Sequence, residues 1–358
     1  MVKVCNLSLK LGGFRLNALS FSVKRGEYFV LLGPTGAGKT TLLEVICGLK
    51  PLDSGEIWID GKQVTNIPTK DRNIGYLFQE PLLFPHLDVF SNVVFGLKIK
   101  GVKKKEIGWR FERISELLKI SKLKSQSPLS LSGGEKQKVA LAGILITSPK
   151  LLLLDEPLSS LDPQSRKELR LELLRIHREL GMTTIHVTHS FSEALHLADR
   201  IGIIHDGKIL QQGEPEVIFS KPSSEIVADF VEIKNLFKGR VIKADGRQWV
   251  ELAPGLRIET LFDRDAWNWG QGSDEEVRVG IRPEDIFLSN TPISSSAKNI
   301  FQGKVVEILN MGTFHQIGIE VKVVKFFVYI TKASVSQLEL AEGKDVFLTF
   351  KASSVIIF

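Results

Sequence analysis

Gly33, Gly36, Gly38, Lys39 and Thr40 stand in the stretch GPTGAGKT, between the apolar run Tyr28 to Leu32 and the segment TLLEVICGL. A glycine-rich turn between a buried strand and a helix lets successive backbone N–H groups, backed by the helix N-terminus, converge on the β- and γ-phosphates of a nucleotide. Lys39 adds a positive charge to that turn, and Thr40 brings a hydroxyl suited to Mg²⁺. Pro34, Thr35, Ala37 and Thr41 complete the phosphate-facing segment.

Two further stretches carry groups of the same chemistry. KLLLLDEP, Lys150 to Pro157, reads as a buried parallel strand whose carboxyl end opens onto the ligand crevice. Asp155 at that end can hold Mg²⁺ directly or through water. Glu156, pointing elsewhere, can orient or deprotonate a water attacking the γ-phosphate. LSGGE, Leu131 to Glu135, precedes the helical stretch KQKVALAGILI, with Ser132 placed as N-cap and Gly133 and Gly134 leaving the first N–H groups open. LSGGE is also an ordinary helix start. As a second anion site it is hard for one nucleotide to share with the P-loop of the same subunit, whereas a head-to-tail two-fold homodimer sets each LSGGE over the other subunit's loop.

The elements that must position these groups follow from periodicity. Val2 to Lys10 and Leu19 to Lys24 alternate as strands of an antiparallel sheet, with Phe14 in the loop between them, where it either stacks on an adenine ring or joins the core. EIWIDGKQV forms a hairpin at Asp60 and Gly61, and Arg72 to Gln79 forms a strand. From Leu87 to about Ser148 the spacing becomes helical and describes an inserted lobe, whose lysines at 98, 100, 103, 104 and 105 read as a solvated surface. Strand Leu151 to Leu154, helix Gln164 to Leu180, strand Thr183 to Val187, helix Phe191 to Ala198 and strand Ile201 to His205 then imply a mainly parallel, doubly covered sheet. After a helical stretch broken by proline, short β-rich runs from about Phe237 point to a separate small barrel or sandwich, in which KGRVIKA and QGKVVEI look alike.

The composition fits this division. The chain has 358 residues, 43% hydrophobic and 25% charged, enough for two or three domains with their own cores. The formal charge of +6 is spread along the sequence and does not argue for nucleic acid. Cys5 and Cys47 lie far apart without ligand spacing, so neither a disulfide framework nor a zinc site is indicated, and a reducing cytoplasm fits. No stretch has the length of a membrane span.

GPTGAGKT, Gln79 in LFQE, LSGGE, LLLLDEP, SSLD and His189 in HVTHS occur in the order seen in ATP-binding cassette (ABC) transporter ATPases, a resemblance covering Met1 to about Lys234. It implies an α/β P-loop core with an antiparallel β subdomain and a helical lobe in residues 1–234, and a small all-β, OB-like domain in 235–358. The same resemblance implies that Gln79 senses Mg²⁺ and a membrane partner, that Asp162 acts across a dimer interface and that His189 contacts the γ-phosphate. Relatives often have Ala at Ser160, Arg at Gly143 and Asp at Ser190, departures that remove no catalytic group.

ITKASVSQLEL and GKDVFLTFKASSVII, within about Lys304 to Phe358, resemble the molbindin (TOBE) pattern of importer ATPases. Thr331, Lys332, Lys351, Ser353 and Ser354 there offer the donors that a tetrahedral oxyanion needs. The resemblance implies the ATP- and Mg²⁺-dependent subunit of a molybdate/tungstate importer, a peripheral protein at the cytoplasmic face of the membrane. Its partners would be permease subunits and an external binding protein. Sulfate, ferric iron, polyamine and sugar importers share the core, and a soluble cassette ATPase acting on nucleic acid or ribosomes is the reading from another class.

Overall fold

In the computed structural model, which describes residues 1–244, 247–261 and 276–358, the run Tyr28–Leu32 is buried at every position. It is the third strand of a unit spanning Met1–Ile218; a second unit spans Phe219–Phe358. In the first unit β1 (Val2–Leu11), β2 (Phe14–Val23), β4 (Ser54–Ile59) and β5 (Lys62–Gln63) form an antiparallel sheet in the order β2-β1-β4-β5. β3 (Tyr28–Leu32), β6 (Ile74–Leu77), β7 (Leu151–Asp155), β8 (Thr183–Thr188), β9 (Arg200–His205) and β10 (Lys208–Gly213) form the other, in the order β10-β9-β3-β8-β7-β6. All of its pairs are parallel except β9 with β10. Helix α1 (Lys39–Cys47) follows β3, and residues of both sheets and of α1 share one hydrophobic core.

The consequence for function lies in the strand order. β3, β8 and β7 are neighbours, so the segments that leave their carboxyl ends emerge side by side, as crevices at the ends of parallel strands require. The inserted lobe contains α2 (Val89–Ile99), α3 (Lys104–Leu117) and α4 (Gly133–Leu145). It is followed by β7, then by α5 (Pro163–Leu180) and α6 (Phe191–Leu197). The C-terminus of α1 is tied down by buried Arg72, which donates to the carbonyls of Val45, Ile46, Thr65 and Ile67 at 2.7–3.0 Å.

Two expectations are corrected. Phe14 is not in a loop: it opens β2, five residues before the expected start at Leu19. The alternation fails there because Asn6 and Ala18 have positive φ and the β1–β2 register shifts around Leu7, so the side-chain period is interrupted within a continuous pairing. The antiparallel edge strand β10 was not expected either, although Asp206 and Gly207 mark its hairpin as Asp60 and Gly61 mark the earlier one.

The second unit begins at Phe219, near the end of helix α7 (Pro215–Ser220), and includes α8 (Glu225–Phe230). There buried Arg282 donates to the carbonyls of Phe219 and Val231 and lies 3.3 Å from the Phe219 ring centroid. The rest is two five-stranded sheets around a single core. One contains β11 (Asn235–Ala244), β12 (Arg247–Ala253), β13 (Leu256–Glu259), β14 (Glu276–Ile281) and, at its edge, β20 (Val355–Ile357). The other contains β16 (Asn299–Asn310), β17 (His315–Val321), β18 (Val324–Ile330), β19 (Asp345–Phe350) and edge strand β15 (Phe287–Ser289); helix α9 (Lys332–Gln337) lies between β18 and β19.

The orders, β13-β12-β11-β14-β20 and β18-β17-β16-β19-β15, correspond strand for strand, so the similarity around Gly239 and Gly303 is a duplication in which the halves exchange edge strands. A Cβ on Gly239 would meet Val250 at 2.3 Å and one on Gly303 would meet Ile319 at 2.7 Å, the same contact in each half. Each half also clamps the other. Asn235 brackets the backbone of Phe327, and Asn299 brackets that of Glu259, each by a donated and an accepted bond of 2.6–3.0 Å.

Both asparagines are 1% exposed. Asn235→Ala and Asn299→Ala should therefore each lower the unfolding free energy of the second unit, by about 2 kcal/mol or more, because each leaves a backbone N–H and C=O unpaired. Urea unfolding of the two variants checks this, and similar losses at both positions are the expected mark of the duplication.

Candidate functional site

The loop after β3 is shaped by close approaches. A Cβ on Gly33 would lie 2.2 Å from the Ile204 carbonyl oxygen, and Gly38 has φ +95° with the Phe14 ring where its Cβ would be. Phe14 is thus a half-buried side chain packed on the first core and on this loop. Within the loop, Ala37 N–H donates to the Pro34 carbonyl and Gly33 N–H to that of Thr188. Among the described residues, the N–H groups of Thr35, Gly36, Gly38, Lys39 and Thr40 have no hydrogen-bond partner in the chain. They form an uncommitted donor set at the start of α1, the chemistry that suits a polyphosphate. Thr41 lies on the first turn of the helix, half-buried.

Lys39 is 5% exposed, and its Nζ donates to the carbonyls of Gly33 and Pro34 at 2.9 Å each while lying 3.4 Å from Glu156 Oε1. Burial lowers its proton affinity, and the Glu156 and Asp155 carboxylates oppose that shift. Glu156 has φ +43°, an uncommon value for a residue with a side chain. Its N–H is held by the Val187 carbonyl, and its other oxygen, Oε2, lies 2.9 Å from His189 Nδ1. Glu156 therefore bridges the lysine after β3 and the histidine after β8.

Asp155 is 4% exposed. Burial pushes its carboxyl up, against hydrogen bonds from Thr40 Oγ1 at 2.9 Å and Tyr76 Oη at 3.0 Å. Asp155 and the Thr40 hydroxyl supply hard oxygen ligands side by side. Among the described residues no group of three or more His, Cys, Asp or Glu side chains could hold a metal. Mg²⁺ takes one or two protein oxygens together with substrate phosphates, and the paired Asp155 carboxylate and Thr40 hydroxyl have that chemistry. Gln79 is exposed, and its Nε2 lies 3.3 Å from Ser159 Oγ, which donates to the Glu156 carbonyl. Tyr76 was missed by sequence reasoning: a tyrosine in a short strand carries no motif, and only the β6–β7 pairing brings it to Asp155.

Ser132 caps α4 in a reciprocal box. Its Oγ accepts the Glu135 N–H at 3.3 Å, and Glu135 Oε2 accepts the Ser132 N–H at 2.8 Å and its hydroxyl at 2.9 Å. Cβ atoms on Gly133 and Gly134 would meet only ordinary contacts at 3.5 Å, with Leu161 and Ser165. Among the described residues no contact therefore demands glycine there, in a helical turn where glycine is locally unfavourable. The same contacts bring this turn beside the start of α5, where exposed Asp162 accepts the N–H groups of Gln164 and Ser165 at 3.1 Å. Among the described residues no hydrogen bond or ion pair joins Ser132–Glu135 to residues 33–41.

In the second unit Thr331 Oγ1 caps α9 through the Ser334 N–H and also engages the Ser334 hydroxyl. Lys351, Ser353 and Ser354 lie on the turn between β19 and β20, and Ser354 hydrogen-bonds Asp285. Among the described residues no hydrogen bond links the Thr331–Lys332 pair to that turn, and the side chains of Lys332, Lys351 and Ser353 are unpaired.

Residues 16–159 match the ABC transporter family, and residues 295–357 match the TOBE domain. The molybdate/tungstate import ATP-binding protein WtpC of Pyrococcus horikoshii is 40% identical over the whole of both chains. The spermidine/putrescine import ATP-binding protein PotA of Trichormus variabilis is 40% identical over 83% of this chain and 77% of its own. A solved ATP-binding cassette, a dimer in a post-hydrolysis state bound to ADP and Pi, is 29% identical with a TM-score of 0.55 over 60% of this chain and 99% of its own. With the P-loop, the buried Asp155 and the Glu156–His189 pair at the ends of adjacent strands, these likenesses establish that the chain belongs to the ATP-binding subunits of ABC importers.

Proposed function

We propose that the chain powers import of molybdate or tungstate by ATP-driven closure of a homodimer on the cytoplasmic face of a membrane. The observation that carries the ATPase chemistry is Glu156, held between Lys39 and His189 at the mouth of the uncommitted N–H set. In this reading the loop N–H groups and Lys39 bind the β- and γ-phosphates. The Glu156 carboxylate takes a proton from the attacking water, and His189 contacts the γ-phosphate from the neighbouring strand end. The Thr40 hydroxyl, Asp155 and Gln79 would hold Mg²⁺, whose contribution when bound is to screen phosphate charge.

Closure is supported by Gly133 and Gly134. They stand at a helix start beside Asp162 where contacts with Leu161 and Ser165 leave room for a Cβ, which suits a need for glycine in the approach of a second subunit's nucleotide, and the solved cassette bound to ADP and Pi is dimeric. ATP bridging two subunits favours the closed dimer, and hydrolysis removes the bridge. No helix among the described residues is long and apolar enough to cross a membrane, so permease subunits would supply the spans. A mainly apolar groove of about 220 Å³ between the segment that follows β6 and the lobe, lined by Tyr76, Phe78, Leu82, Phe84, Phe95 and Val139, suits a permease segment. The cargo follows the full-length likeness to WtpC; PotA-like relatives keep polyamines as the alternative.

Glu156→Gln is expected to lower kcat by about 10²–10⁴-fold while ATP affinity stays within a few-fold, measured by steady-state hydrolysis and nucleotide binding. Hydrolysis at the parental rate would remove Glu156 from the reaction. Gly134→Ala should leave the monomer as stable as the parent or more so, by up to about 1 kcal/mol, yet lose most of its hydrolysis. Unchanged activity would sink the composite-site geometry. In the reconstituted transporter, molybdate should inhibit hydrolysis by the parental subunit and not by Lys332→Ala/Lys351→Ala. Inhibition surviving in the variant would exclude these residues as the oxyanion site.

A further inference from the structure

The end of β8 carries a buried polar chain that joins Thr188 and Ser190, on either side of His189, to Glu193 on α6, none of them assigned a role above. Thr188 is 2% exposed and Glu193 is 5% exposed. The Thr188 hydroxyl donates to Glu193 Oε2 at 2.7 Å and accepts the Ser190 N–H at 3.0 Å. Ser190 Oγ, capping α6, accepts the Glu193 N–H at 3.3 Å. These bonds close a ring over the backbone on both sides of His189. From the other direction the Thr188 carbonyl accepts the N–H of Gly33, the first residue of the phosphate loop, at 3.3 Å.

The same chain contains the comparison that gives this ring meaning. Ser190 and Glu193 have the spacing of a capping box, the device that Ser132 and Glu135 build in full at α4, with Glu135 reaching back to the cap residue's own N–H. At α6 the carboxylate is diverted. Glu193 turns inward to the Thr188 hydroxyl, and that hydroxyl takes the Ser190 N–H in its place. Capping alone does not require this, since an exposed glutamate would serve, and burying a carboxylate is unfavourable without compensating partners.

Nor is the diversion explained as a buried ion pair. Among the described residues the only basic side chain within 4.0 Å of Glu193 is His186, at 3.8 Å. His186 is fully buried and accepts or donates at Nδ1 to the Tyr28 hydroxyl at 2.9 Å. Burial pushes its pKa down to about 3, so it stands there as a neutral ring. What the Glu193 carboxylate holds is Thr188, and what Thr188 holds is the turn carrying His189.

We propose that Thr188 and Glu193 are positioning residues for ATP hydrolysis: the Glu193 carboxylate, acting through the Thr188 hydroxyl, fixes the turn that presents His189 to Glu156 and to the γ-phosphate. The proposal rests on the reading of His189 as a γ-phosphate contact. In the full-length chain, Thr188→Val removes the hydroxyl at nearly constant shape, Thr188→Ser retains it, and His189→Ala supplies the reference. Thr188→Val is expected to lower kcat at least tenfold with KM for ATP changed less than threefold and ADP affinity close to the parent, while the bonds lost by Glu193 and Ser190 lower the melting temperature by a few degrees. Thr188→Ser should stay within twofold of the parent, and His189→Ala should fall at least as far as Thr188→Val. Thr188→Val within twofold of the parent, while His189→Ala is impaired, would overturn the positioning role and leave the reading of His189 standing. An equal loss of kcat in Thr188→Ser, or a loss of ADP affinity together with kcat in Thr188→Val, would reduce Thr188 to a structural residue and also overturn it. His189→Ala at the parental rate would instead remove the reading of His189 itself.

Discussion

Burial of the Lys39 ammonium is the constraint around which the first unit is arranged. A cation at 5% exposure is tolerable only where hydrogen bonds and opposite charge replace its water. Two of its replacements are carbonyls of the loop it belongs to, so satisfying the lysine also fixes the loop's curvature and leaves the loop N–H groups turned away from the chain. The third is Glu156, which its backbone holds at a positive φ and which in turn engages His189. One buried charge thereby ties together segments from three strands, and the parallel order β3-β8-β7 makes the arrangement reachable.

The surroundings of that charge are layered by polarity. Asp155 lies deeper than Glu156 and accepts hydrogen bonds from the Thr40 and Tyr76 hydroxyls, which partly offset its burial. His189 lies nearer solvent, with its side chain 53% exposed. A carboxylate in the interior and an imidazole at the rim can divide the work of holding a metal-bound polyphosphate and contacting its terminal group. The turn at Ser132 lies beside the start of α5 and Asp162, and its glycines make only ordinary contacts with Leu161 and Ser165.

The second unit solves a separate problem, that of two small sheets with exposed edges. Exchange of β15 and β20 places an edge strand from one half beside the other half's sheet, and Asn235 and Asn299 fasten the third strand of the opposite half. Neither half can complete its hydrogen bonding alone. An internal duplication thus becomes one cooperative core rather than two weak ones.

What the sequence alone determined is local: a glycine-rich turn between a buried strand and a helix, a wholly apolar strand ending in two carboxylates, a capped helix at Ser132 and the β-rich character of the C-terminal part. Each is written in consecutive residues, where spacing directly encodes backbone geometry and burial. Phe14 was misplaced because irregularities at Asn6 and Ala18 break the two-residue period, and β10 because KILQQG has only two apolar residues, adjacent, with a register shift between Ile209 and Gln211. Tertiary structure alone decided that Tyr76 meets Asp155, that Glu193 abandons its capping box for Thr188, and that the similar runs at Gly239 and Gly303 are halves exchanging strands. The physical reason is one of range. Strand order and register bring together groups such as Thr40 and Asp155, 115 positions apart, and a hydrogen bond between side chains so separated leaves no period in the chain from which to read it.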